Sequence, residues 1–135
     1  MPMNQEIKAR WTAALRSGEY QQGEGCLNKN GKLCCLGVLC ELAVKDGVIT
    51  STILYPDDDE PHTGYGERLE ELVLPKLVMG WAGLDDINPG VDLSNAPEGV
   101  IFKPGEIVSD FPSLAGINDS GTPFAVIADV IDAQL

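Results

Sequence analysis

Apolar and polar residues alternate along this chain with four helical segments and several short extended ones. Ile7, Trp11, Ala14 and Leu15 recur at i, i+4, i+7 and i+8, which predicts a helix capped by Asn4 and ended by Gly18. Tyr20 to Cys35 reads as a β-hairpin, because Asn30-Gly31 supplies the two positive φ angles of a type I′ turn. That register sets Lys29 against Lys32, Leu27 against Cys34, and Cys26 against Cys35 as a non-hydrogen-bonded pair. Leu36 to Asp46 is apolar on most sides, predicting a buried helix that stops at Gly47 and places Cys40 in the core.

Ile49 to Tyr55 is rich in β-branched residues and reads as a strand, followed by an exposed acidic loop from Pro56 to Pro61. Leu72 to Leu84 predicts a short helix with Pro75 at its first position. Between Asp85 and Leu114, prolines and glycines predict an irregular connection with two short edge strands, at residues 100–102 and 106–108. Thr122 as cap, Pro123 at the first position, and the face Phe124, Ile127, Ala128 and Ile131 predict a last helix. Strands and helices are interleaved without a βαβ rhythm. The expectation is one α+β domain over residues 1–135, a small antiparallel sheet with a hairpin near residues 20–35, packed with three to four helices.

Composition narrows the class. The 135 residues suffice for one core, and 44% apolar with 22% charged residues is the balance of a soluble globular protein. No stretch approaches the roughly 18 apolar residues of a membrane span. The first residues, Met-Pro-Met-Asn-Gln-Glu-Ile-Lys, lack the basic and apolar regions of an export signal, so the cysteines are expected as thiols in a reducing cytoplasm. Twenty-one acidic against nine basic residues give a net charge of −12. That field repels duplex nucleic acid and anionic lipid, but backbone N–H groups and one or two arginines can still hold a small phosphorylated ligand.

All four cysteines lie between Cys26 and Cys40, where the pattern changes from strand to helix. Their spacings of 8, 1 and 5 form no zinc knuckle, and the adjacent pair Cys34 and Cys35 points to opposite strand faces, so no metal and no other cofactor is expected. A helix start lowers a thiol pKa, which makes Cys35 or Cys34 a candidate nucleophile with the sole histidine, His62, as its base. Asp57 to Glu60 and Asp85-Asp86 lack the pattern of a calcium loop and read as surface. Arg16, Ser17, Tyr20 and Gln22 place a guanidinium, a hydroxyl, an aromatic face and an amide within seven residues, a set suited to holding a ligand, unless Arg16 and Ser17 simply finish a helix and Gln21 lies on a strand surface. Asn118-Asp119-Ser120-Gly121 reads as a helix-entry turn or as further ligand contacts.

The run Trp11-x2-Ala14-Leu15-Arg16-Ser17-Gly18-x-Tyr20-x-Gln22, with Cys34-Cys35-Leu36-Gly37-Val38-Leu39-Cys40, Leu74-Pro75 with Trp81, and Asn118-Asp119-x4-Phe124-x2-Ile127-Ala128, resembles a family of small uncharacterised bacteriophage and prophage proteins. The resemblance spans most of the chain and implies a phage origin, without a catalytic set to transfer. Phage origin in turn implies counter-defence as the functional context, in the cytoplasm of an infected bacterial host. The leading expectation is a non-enzymatic protein that sequesters a nucleotide-derived immune signal: Arg16 on phosphate, Tyr20 stacking, Ser17 nearby, and Gln22, Asn118 and Asp119 on sugar or base edges. A homodimer or larger assembly would close the pocket around the ligand. The alternatives are a cysteine hydrolase using Cys35 or Cys34 with His62, and an acidic inhibitor of a host defence enzyme acting through residues 57–60.

Overall fold

The computed structural model describes residues 3–55, 60–103 and 112–135. Helix α1 spans Gln5–Arg16, and the Asn4 side chain accepts a hydrogen bond from the Ile7 N–H at its start. Its apolar stripe buries Ile7, Trp11 and Leu15. The backbone then turns through Gly18, whose φ of 78° a side chain would oppose. Helix α2, Cys35–Lys45, is buried along nearly its whole length and ends at Asp46 before Gly47, also at positive φ. The two helices meet where the Trp11 indole N–H donates to the Cys35 carbonyl at 3.0 Å.

Strands β1 (Gln21–Gln22), β2 (Asn28–Lys29), β3 (Lys32–Leu33), β4 (Ser51–Leu54) and β5 (His62–Tyr65) form one sheet in the order β1-β3-β2-β5-β4. The turn at Asn30 and Gly31 has φ angles of 54° and 81°, as a type I′ turn demands, and Lys29 lies opposite Lys32 as predicted. The Cys34 N–H bonds the Leu27 carbonyl, so the pairing reaches that step. It goes no further. Cys35 is already the first residue of α2, and Cys26 lies in the irregular stretch before β2, so these two do not face each other in a ladder.

The hairpin is also shorter than residues 20–35. Gln21 and Gln22 pair instead with Lys32 and Leu33 on the far side of β3, in parallel, which makes the sheet mixed. The fold is α+β with a small sheet, as expected, but its helices outnumber the prediction: α3 (Lys76–Ala82), α4 (Leu114–Asp119) and α5 (Phe124–Gln134) complete five α-helices among the described residues. The fourth, α4, starts at Ser113, whose hydroxyl accepts from the Gly116 N–H, inside the stretch expected to be irregular. Asn118 and Asp119 therefore end a helix, and the turn that enters the next one follows them.

Two caps differ from the sequence reading. Pro75 and Pro123 occupy the residue before the first helical turn rather than the turn itself. Thr122 is fully buried and makes two bonds across to Ile101, one each way, rather than capping α5. Residues 100–102 form no strand, whereas a 3₁₀ turn spans Leu93–Asn95; residues 106–108 and most of the acidic loop, 56–59, lie outside the described residues.

Among the described residues one apolar cluster joins all five α-helices to the sheet. Gly37 permits its closest approach, since a Cβ there would overlap the Leu27 carbonyl. Across the surface, Arg16 near the end of α1 bonds Asp129 and Asp132 of α5 at 2.7 and 2.8 Å.

Candidate functional site

Gln22, Asn118 and Asp119 are brought together, and the Gln22 and Asn118 amides and Asp119 Oδ1 are already engaged in hydrogen bonds. The Gln22 amide nitrogen donates to Asn118 Oδ1 at 3.0 Å and to the Thr122 carbonyl at 2.8 Å, while its oxygen accepts from the Phe124 N–H at 3.1 Å. Gln22 is thus the cap that the α5 N-terminus lacks locally. Asn118, fully buried, accepts from the Cys35 N–H at 3.2 Å and donates to the Gly23 carbonyl at 2.8 Å and to Asp119. Asp119 accepts from the Gly25 N–H at 3.0 Å. One polar node therefore joins β1, the start of α2 and the α4–α5 turn.

The other members of the predicted set lie outside this node. Arg16 is spent on the two α5 carboxylates, which raise its pKa further. The Ser17 hydroxyl donates to the Ala14 carbonyl and accepts from the Glu19 N–H, closing the end of α1. Tyr20 is half-buried, and its hydroxyl accepts from Lys45 Nζ at 3.1 Å.

At the strand-to-helix junction two effects on the cysteines compete. Backbone N–H groups of Leu36 and Gly37 favour a thiolate at Cys34, but desolvation is larger and pushes this thiol up to about 12. Burial also raises Cys35 well above its ordinary value, and its Sγ donates to the Leu114 carbonyl at 3.5 Å. Cys40 is raised by the same cause. Such thiols are packing groups that carry a weak donor. His62 sits on β5, where its Nδ1 lies 2.9 Å from Glu71 and its Nε2 is buried without a hydrogen-bond partner among the described residues. No hydrogen bond joins it to a cysteine among those residues. Nor do three or more of the described His, Cys, Asp and Glu side chains converge on a metal position.

An open pocket of about 350 Å3 lies elsewhere, between the turn that follows β5 and the start of α3. Its inner wall is the buried surface of Ile49, Tyr65, Leu74 and Pro75. The wall is fixed from behind, because the Tyr65 hydroxyl donates to Glu41 at 2.7 Å and accepts from Asn28 at 3.1 Å. Burial, then the bond to Glu41, raises the Tyr65 phenol far above its usual range, so it stays protonated.

The mouth is polar, with Glu67, Arg68, Glu70 and Lys76 around it. Tyr65 and Glu70 exchange two backbone hydrogen bonds of 2.9 Å, which closes the four-residue turn from Gly66 to Leu69. Leu69 holds a φ of 54°, a left-handed conformation that is uncommon for leucine. Its side chain lies against Gly64, where any Cβ would overlap it. Arg68 and Lys76 are exposed, and neither makes an ion pair among the described residues.

Nothing in the sequence reading marked these two cations. The sequence reading assigns no role to residues 66–69, and Lys76 enters it only within the helix predicted over Leu72 to Leu84.

Residues 3–135 match the family described as a domain of unknown function, DUF8296, and the chain belongs to that family. No curated protein and no solved structure matches the chain. No helix among the described residues is long and apolar enough to cross a membrane.

Proposed function

We propose that this protein binds a nucleotide-derived signal and holds it without chemical change, in the pocket between the Gly66–Leu69 turn and α3. The observation that carries this reading is the pairing of an apolar inner wall with two cations at the mouth, Arg68 and Lys76, that make no ion pair among the described residues. Small-molecule sites have this construction: a mostly apolar cleft with a few polar groups that orient the ligand. An arginine supplies a fork of donors for phosphate, and a lysine supplies a point charge.

The resemblance to phage and prophage proteins supplies the context, a host immune signal sequestered in the bacterial cytoplasm. Binding rather than turnover is favoured because Cys34 and Cys35 are buried with raised thiol pKa values, which weakens the hydrolase reading. Leu77 beside the mouth is 63% exposed and nearby Leu72 is 60% exposed, an apolar rim on which a second copy could close over the ligand.

The test is thermal unfolding of the purified protein against cyclic dinucleotides, cyclic trinucleotides and ADP-ribose derivatives, with mass analysis of whatever heat releases. A rise in melting temperature with the compound recovered intact is the expected result. A rise with an altered compound would replace sequestration by catalysis, and no rise across the panel would reject a nucleotide ligand.

A further inference from the structure

Resting on the pocket assignment above, we infer that each pocket accepts one nucleotide unit carrying a single phosphate and discriminates against polyphosphates. Two features of the site lead there. The first is charge. Arg68 and Lys76 at the mouth are matched by Glu67 and Glu70, so the four rim side chains sum formally to zero. A single phosphate can sit between the two cations, but each added phosphate brings negative charge toward two carboxylates in a chain of net charge −12. The carboxylates have a positive use as well, because a carboxylate accepts hydrogen bonds and the sugar hydroxyls and exocyclic amines of a nucleoside can donate to it.

The second feature is size. A cavity of about 350 Å3 stands near the lower end of the ~300–1,000 Å3 range of small-molecule sites, room for one base and sugar against the wall. The flat apolar part of the ligand would lie on Ile49, Leu74 and Pro75, with Ile87 at the side. A cyclic dinucleotide, with one phosphodiester charge per unit, would then need two pockets and hence two copies of the chain.

Isothermal titration with AMP, GMP, CMP and UMP, and with the corresponding triphosphates, tests this on the full chain. At least one monophosphate is expected to bind roughly tenfold or more tightly than its triphosphate, tenfold corresponding to about 1.4 kcal/mol. The double variant R68A/K76A should lose roughly tenfold or more of that affinity, and E70Q should narrow the gap between mono- and triphosphate. Urea unfolding of both variants verifies that they remain folded. Triphosphate binding as tight as monophosphate binding, or no monophosphate binding at all, would overturn the inference. If R68A/K76A binds like the parent chain, the ligand lies elsewhere and the pocket assignment falls, while sequestration itself could still be read from the intact compound in the thermal panel.

Discussion

The polar node around Asn118 and the pocket mouth around Arg68 use overlapping chemistry to opposite ends. At the node, Gln22, Asn118 and Asp119 spend their donors and acceptors on the Gly23, Gly25, Cys35, Thr122 and Phe124 backbones and on one another. At the mouth, Arg68 and Lys76 make no ion pair among the described residues, and the apolar wall beside them is open. A side chain's ability to hold a ligand is therefore a matter of unfilled valence. Residue type alone does not reveal it.

Substitutions sharpen that contrast. Asn118→Ala should have the largest effect, because it strands the buried Cys35 N–H, at ~1–3 kcal/mol, and takes a partner from the half-buried Gly23 carbonyl, at ~1 kcal/mol; a loss of about 2–4 kcal/mol is expected. Chemical unfolding measures it, and a loss below about 0.5 kcal/mol would show the node to be dispensable.

The buried thiols give the next effect, on raising pH. Cys34, Cys35 and Cys40 have raised folded-state pKa values, so the unfolded chain releases their protons first. Their stability contribution is complete below the unfolded thiol value near 9 and is lost as pH rises toward about 12. Unfolding midpoints at pH 7, 9 and 10 should fall only above 9, while half-exposed Cys26 should react with a thiol reagent before the other three.

Arg16→Ala should cost at most about 1 kcal/mol, since the pairs with Asp129 and Asp132 are solvent-screened, and it should leave ligand binding unchanged. Lost binding with unchanged stability would return the site to the end of α1. Smallest of all is the stability effect of R68A/K76A, within ~0.5 kcal/mol by unfolding midpoint, because these exposed cations make no ion pair among the described residues.

How much of this was legible in the sequence follows the range of the forces involved. The α1, α2 and α5 faces and the Asn30-Gly31 turn are local patterns, and they stand in the structure where the periodicity puts them. The parallel pairing of β1 with β3 is set by contacts a hairpin rule does not contain. Helix α4 is six residues long and includes Gly116, too short for a period to register. Gln22, Asn118 and Asp119 do lie together, but whether their valences are filled depends on partners about 80 to 100 residues away. Arg68 and Lys76 carry no such signal either, since the absence of an ion pair among the described residues leaves no mark on a sequence.

The Gln22 bond to the Phe124 N–H joins residues 102 positions apart, and Asn118 reaches back 83 positions to Cys35. During synthesis, α1 and α2 emerge from the ribosome well before the segments that complete them. For that interval α1 lacks the cover of α5 and α2 that of α4, so the nascent chain is exposed to aggregation and proteolysis until both are made.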